Sequence, residues 1–319
     1  MSGARVAVVG GGAFGATAAV QLARLGCSVV LFEQADQLLS AASRANQRRL
    51  HRGYHYPRGL ETATSALRSV KAFEAEYRSA IHDGAAHHIA IARHRSLVTA
   101  EQYTAFCDAA GLRYREEYPP FLRRRSVELA LRIDESLIDV DELRRLCAAN
   151  LTAAGVEVRL RTRATHRDLR GFQHVVLATY ASINDLCPGS EARRRFQFEV
   201  CEKPLVRLPA AFANHSLVVM DGPFMCLDPV VGTDTFLLGN VDHAIHATTV
   251  GLHPLLPRQV ACCVDRGLIR HPPATRFPRF ISSAREFLVG FEQAEHLGSY
   301  FTVRAVLPDL EATDDRPTL

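Results

Sequence analysis

Residues 5–33 constrain the fold more than any other part of the chain. Arg5 to Val9 reads RVAVV, a short apolar run rich in β-branched residues that suits a strand buried on both faces. Gly10-Gly11-Gly12-Ala13-Phe14-Gly15 follows at once, a G-x-G-x-x-G spacing. The pattern then predicts a helix over Ala13–Leu25, with Ala16, Ala19, Val20, Leu22 and Ala23 available for packing. Gly26 stands where a helix C-terminus favours glycine. Cys27–Phe32 predicts a second strand, closed by Glu33. Each part has a physical task. Gly10 permits the tight strand-to-helix turn, Gly12 lets the backbone approach a pyrophosphate, and Gly15 lets the helix lie close on the strand. The helix N-terminus offers unpaired N–H groups to phosphates. Glu33, eighteen residues after Gly15, is placed to accept from ribose hydroxyls and to disfavour a 2′-phosphate. Gly10, Gly12, Ala13, Phe14, Gly15, Glu33 and Gln34 are therefore candidate dinucleotide-binding residues. The fingerprint alone does not say which dinucleotide.

With 319 residues, 47% hydrophobic and 23% charged, the chain has enough apolar material for one large core or two interleaved domains. The net charge of +4 is small for this length, and Arg123–Arg125 and Arg193–Arg195 lack interleaved aromatics. They read as solvated faces, and no nucleic-acid partner is expected. Lys71 and Lys203 are the only lysines, so Schiff-base chemistry has few candidates, whereas arginine is plentiful for gripping carboxylates or phosphates. None of the eight cysteines forms a C-x-x-C pair, which suits scattered reduced thiols and a cytoplasmic location. The apolar stretch from Val6 to Leu25 carries four fingerprint glycines and no basic leader, so it is not read as a signal peptide, and no other segment is expected to span a bilayer.

After Glu33 the chain does not return quickly to a third strand. It passes a short helical patch and enters a polar, aromatic and basic loop from Ser43 through Asn46, Gln47, Arg48, Arg49, His51, Gly53, Tyr54, His55, Tyr56, Pro57 and Arg58 to Gly59. An amphipathic helix follows, with Leu60, Ala63, Leu67, Val70, Phe73 and Tyr77 recurring at three or four residues. Here the chain resembles the D-amino-acid-oxidase-like flavoproteins, a group that includes glycine and sarcosine oxidases, glycerol-3-phosphate dehydrogenase and L-2-hydroxyglutarate oxidase. The local likeness is greatest to the last, through Ser43, Asn46, His51, Gly53, Tyr56, Pro57 and Gly59. Gln47, Arg48 and Arg49 replace smaller residues, and His55 is additional. The resemblance implies that the dinucleotide is FAD and that Ser43, Asn46, Gln47 and Arg48 run along its ribityl chain.

Two later stretches extend it. Asp139 begins a helix with Glu142 three residues on, a capping-box-like arrangement, and Gly155–Leu160 then reads as a strand. A further strand is read over Val175–Tyr180. In these flavoproteins the first stretch leads to a backbone contact with adenine, here near Ala164. The second resembles an A-T-G return to the nucleotide, here Ala178-Thr179-Tyr180, with tyrosine where glycine is common. Strands and turns over Leu217–Leu238 predict an antiparallel meander. The implied fold is α/β: a Rossmann-type FAD-binding domain (1–80, 139–190 and 285–319) interleaved with an α+β substrate domain on a mostly antiparallel sheet (81–138 and 191–284).

Val303-Arg304 to Pro308 resembles the arginine-bearing segment that these proteins bring back to the flavin ring. They continue with a glycine-containing loop and a last helix, whereas this sequence ends at Leu319. The flavin half of the site is thus expected to be less complete than the adenine half, through truncation or departure from the family. His243 and His246 lack a third ligand at metal spacing, and His51 with His55 falls in the flavin loop, so no metal is expected.

The resemblance implies hydride transfer to flavin N5 from a small amine, amino acid or 2-hydroxy acid. His51, Tyr54, His55 and Tyr56 are candidates to remove the N–H or O–H proton, with histidine the best match in pH. Arg58 or Arg304 is a candidate for gripping a carboxylate, and Arg304 also for stabilising charge on reduced flavin. Covalent flavin attachment through His51 is a further option. A small-molecule substrate and O2 or another electron acceptor are the implied partners, and a homodimer is left open. The alternatives are a flavin monooxygenase reduced by NAD(P)H, for which no second nucleotide fingerprint is evident, and a non-catalytic FAD-binding scaffold.

Overall fold

The computed structural model describes residues 3–187 and 189–308. The apolar β-branched runs pair as four parallel strands in the order His174–Leu177, Arg5–Val9, Ser28–Phe32, Glu157–Arg159. Val6 lies opposite Val29 and His174, and Val9 opposite Phe32 and Leu177. Helix Ala13–Arg24 packs Ala16, Ala19 and Val20 on this sheet beside Leu143, Cys147 and Leu151 of helix Val140–Ala153. Gly26, at φ 86°, ends the first helix as anticipated. Asp139 caps the second by accepting from the N–H groups of Asp141 (2.9 Å) and Glu142 (3.1 Å). The reciprocal half of a capping box does not form, because Glu142 is drawn to Arg145 (2.7 and 2.6 Å) and Ser79 (3.0 Å).

A larger sheet of nine strands runs Ile245–Gly251, Phe196–Arg207, Thr235–Asn240, Met225–Pro229, His215–Met220, Ala86–Ala92, Val127–Ile133, Tyr114–Glu116, with Glu295–Val306 also on Phe196–Arg207. Its pairings are antiparallel except that between Ala86–Ala92 and His215–Met220. Helix Phe277–Phe287 buries Phe280, Ala284 and Phe287 against it. A small sheet, Arg49–Leu50, Ser136–Ile138 and Ile81–His82, stitches the loop to the rest of the chain. The architecture is thus the mixed α/β one expected, with a mostly antiparallel second sheet.

Two local readings change, and one long-range pairing adds to them. The strand read over Val175–Tyr180 is His174–Leu177, and Tyr180 opens a 3-10 turn at φ 49°. Asp228-Pro229, read as punctuation, lies inside Met225–Pro229, where Asp228 faces Leu237 across the ladder. Residues 295–306 hydrogen-bond along Phe196–Arg207, which ties much of the 285–319 segment to the larger sheet. Asp309–Leu319 lie outside the described residues.

Candidate active site

The site begins where strand Arg5–Val9 turns into its helix. A Cβ on Gly10 (φ 105°) would sit 2.4 Å from the Ala178 carbonyl oxygen, and one on Gly15 would sit 1.8 Å from that of Gly10. Neither position admits a side chain, so the turn and the helix close against Ala178. On Gly12 a Cβ would meet only Ser43 Oγ, at 3.3 Å, which leaves its outer face clear. Gly12 also supplies no side-chain cap to the helix, whose N-terminus keeps its capacity for an anion. Phe14 stands 89% exposed beside it. Glu33 reaches back, accepting from Gly11 N–H at 2.6 Å through one oxygen and from Ala35 N–H at 2.8 Å through the other. Gln34 beside it is exposed. Thr162 N–H donates to the Glu33 carbonyl at 2.8 Å, bringing the buried Ala164 to this edge among Ala7, Val9, Val30 and Phe32. Thr179 Oγ1 is buried without a protein partner, and the Tyr180 hydroxyl accepts from Ala305 N–H at 3.2 Å.

These features fit a dinucleotide. Two glycines let the backbone close up, a third leaves space above a helix N-terminus, and a carboxylate and an unsatisfied hydroxyl line the same edge.

The loop running from Ser43 to Gly59 starts on this cradle, since Ser43 Oγ accepts from Ala13 N–H at 3.1 Å. Asn46 Oδ1 accepts from Arg48 N–H at 2.8 Å, and Arg48 takes φ 56°, an Asx-type turn that reverses the chain. Buried Arg48 lies over the Tyr300 ring, 5.8 Å from its centroid. Gln47 donates to Cys226 Sγ at 2.6 Å. Arg49 then drops into the protein, where Nε donates to Asp228 Oδ1 at 2.6 Å and Nη1 approaches Glu135 Oε2 at 3.4 Å, with all three side chains 1% exposed. Ser216 donates to the same Asp228 oxygen at 2.7 Å. Burial opposes the Glu135 charge, but His51, Arg49 and His87 together bring its carboxyl down to about 2. His87 is buried with both ring nitrogens lacking a protein partner, and burial, with Arg49 adding, pushes its imidazole down to about 3.

Above this layer His51, His55 and Tyr56 form a triangle, with ring centroids 5.1 Å apart for the histidines and 6.1 Å from each to Tyr56. The structure thus gathers three of the four proton-transfer candidates and sets Tyr54 apart. Tyr54 is buried, its hydroxyl donates to the Arg113 carbonyl at 2.6 Å, its carbonyl accepts from Tyr103 at 2.7 Å, and burial pushes its phenol up to about 12. Its hydroxyl and carbonyl are both committed to neighbouring segments, away from the His51, His55 and Tyr56 rings. Arg58 pairs with Asp221 at 2.6 Å, and Arg304 pairs through Nε and Nη2 with buried Glu199, both at 2.7 Å. His243 and His246 are separated in role, since His246 faces Glu202 at 2.8 Å while His243 lies against Phe280.

Glu135, Asp228 and His87 escaped the sequence reading. His87 beside His88 and Glu135 beside Asp134 carry no catalytic or metal-ligand spacing, and Asp228-Pro229 looks like a turn. Arg49 offered a hint, as an arginine inside a loop whose relatives carry small residues.

The fold and the glycine cradle are those of a dinucleotide-binding protein, and residues 5–310 match the DAO family, FAD dependent oxidoreductase. The chain belongs to that family. It is 27% identical over 247 residues to the FAD-dependent monooxygenase FPY4 of Fusarium mangiferae, covering 74% of this chain and 63% of that protein. Glycine oxidase from Geobacillus kaustophilus superposes at a TM-score of 0.70 with 18% identity, covering 96% of this chain and 84% of that one. L-Proline dehydrogenase from P. horikoshii gives 0.69 with 15% identity over 97% and 83%. L-α-Glycerophosphate oxidase from Mycoplasma pneumoniae, with FAD bound, gives 0.67 with 15% identity over 98% and 85%. No helix among the described residues is long and apolar enough to cross a membrane.

Proposed function

We propose that this protein oxidises a small amine, amino acid or 2-hydroxy acid with FAD held on the glycine cradle. One observation carries the reading: the loop that leaves the cradle at Ser43 delivers His51, His55 and Tyr56 as a cluster above buried Glu135. When bound, FAD supplies a two-electron acceptor for the hydride of a substrate C–H bond.

The remaining work falls to the chain. The N-terminus of helix Ala13–Arg24, with Ala13 and Phe14 at its first turn, would hold the pyrophosphate. Glu33, beside Gln34, would hold the ribose, and the backbone near Ala164 would meet adenine. Ser43, Asn46, Gln47 and Arg48 would line the ribityl chain, and Ala178–Tyr180 would close the cradle. His51 takes the N–H or O–H proton, with His55 and Tyr56 shaping its surroundings. Arg58 meets Asp221 and Arg304 meets Glu199, and the planar fork of a guanidinium suits either to a substrate carboxylate.

The purified protein should be yellow and release FAD on denaturation. Anaerobic mixing with a panel of amino acids, N-methyl amines and 2-hydroxy acids should bleach it. A colourless preparation that ignores added FAD refutes the cradle reading. The name of the Fusarium relative favours a second reading, a monooxygenase reduced by NAD(P)H. Rapid bleaching by NADPH in the absence of amine or hydroxy acid would select it. Bound FAD that no reductant in either panel bleaches would indicate a binding protein without turnover.

A further inference from the structure

The buried layer under the loop contains a carboxylate whose neighbours leave it one direction in which to act. Glu135 Oε1 lies 3.5 Å from His51 Nδ1 and 3.3 Å from Arg52 N–H, while Oε2 lies 3.4 Å from Arg49 Nη1. Arg49 is in turn fixed on Asp228 at 2.6 Å, so the carboxylate is clamped from below by a permanent charge. The His51 side chain keeps 28% exposure, yet its Nδ1 is shut off from solvent and lacks a closed hydrogen bond. A buried ring nitrogen needs a partner, and Glu135 is the carboxylate within ion-pair reach.

We infer that Glu135 is a positioning residue that holds His51 with Nδ1 turned inward, so that Nε2 is the nitrogen presented to the substrate proton. The inference rests on the role proposed for His51. Nδ1–H points to the carboxylate, the Nε2 lone pair faces outward, and the substrate N–H or O–H proton moves to Nε2 while Glu135 stays ionised. The groups facing His51 are Glu135 and Arg52 from below and His55 and Tyr56 from the loop, with Arg49 and His87 beyond the carboxylate.

The test reads the tautomer directly. Protein labelled with 15N-histidine, with the His51 signals identified by their loss in His51→Gln, should show neutral His51 as the Nδ1–H form in long-range 1H–15N spectra. Glu135→Gln should shift it toward the Nε2–H form that free imidazole prefers. An Nε2–H ring in the unsubstituted protein overturns the inference whatever the kinetics, and needs no Glu135 variant to fold. In turnover, Glu135→Gln should slow flavin reduction roughly 10²-fold with little change in substrate affinity, and Glu135→Asp should restore part of the rate. Equal losses in both variants overturn positioning. His51→Ala tests the underlying reading separately, because normal flavin reduction there removes His51 from the chemistry and leaves the tautomer result standing.

Discussion

Replacing Arg49 by methionine is the perturbation whose size follows most directly from the geometry. The side chain, Asp228 and Glu135 are each 1% exposed, and the shortest contact is 2.6 Å. Arg49→Met keeps most of the volume and removes the charge, leaving two carboxylates buried without it. Breaking one side of a buried pair costs about 3–5 kcal/mol, and that loss is expected at neutral pH in urea unfolding of the apoprotein. The pH dependence sharpens the test. Burial already pushes the Asp228 carboxyl up, against Arg49 and Ser216. Without Arg49 its main opposing charge is gone, the carboxyl rises further, and Asp228 in the folded variant takes up a proton more readily. A group whose folded pKa lies above its unfolded value gives full stability below the unfolded pKa and loses it as pH rises through the folded one. The variant should therefore fall further behind the parent as pH rises from about 5, by at most about 1.4 kcal/mol per unit. Arg49→Met/Asp228→Asn should recover a large part of the loss and flatten the profile. A loss under about 1 kcal/mol, or a pH-independent one, would refute the claim that this pair is a buried ionic anchor.

Four further outcomes are expected. Gly15→Ala should abolish FAD retention, measured by flavin absorbance after gel filtration, because its Cβ would lie 1.8 Å from the Gly10 carbonyl oxygen. Glu33→Gln should weaken FAD binding about tenfold or more in calorimetric titration, since the carboxylate that engages Gly11 and Ala35 loses its charge. Tyr54→Phe should cost about 1 kcal/mol in stability, from the lost bond to Arg113, and leave the rate of flavin reduction unchanged. Glu135, brought down to about 2, has a depressed folded pKa, so its contribution is present above the unfolded value and lost as pH falls toward 2. That loss should reach about 3 kcal/mol by denaturant titration and be absent in Glu135→Gln.

The glycine cradle was legible because its physics is local. A strand, three glycines, a helix and an acid act within thirty residues, and each leaves a mark in the spacing. The loop was legible as a whole and partly misread in detail. His51, His55 and Tyr56 do come together, but Tyr54 between them points into a satellite core with Tyr103 and Phe106, a difference a loop without fixed period does not disclose. The ion cluster was invisible for another reason. Arg49, Glu135 and Asp228 are separated by 86 and 179 positions along the chain, and their pairing follows from how the three-stranded and nine-stranded sheets meet, which no local pattern encodes. The same holds for Phe196–Arg207 and Glu295–Val306, whose twelve-residue strands pair across about a hundred residues.

The position of that cluster explains why it sits in a place where apolar packing would be less costly. Arg49 belongs to the three-stranded sheet, Asp228 to the nine-stranded one, and Glu135 to the segment entering Ser136–Ile138. A hydrophobic side chain at 49 would fill the space but tolerate sliding of one sheet over the other. A guanidinium fixed by a 2.6 Å bond to one carboxylate and leaning on a second does not. His51 follows Arg49 by two residues, so any slip at the anchor passes to the imidazole. Shifts of about 1 Å at reacting groups cost roughly 10²-fold in rate. On the role proposed for His51, the buried charges serve to hold the loop in register. On that account Arg49→Met loses more rate than its surviving folded fraction explains, because the His51, His55 and Tyr56 triangle is loosened even in molecules that remain folded.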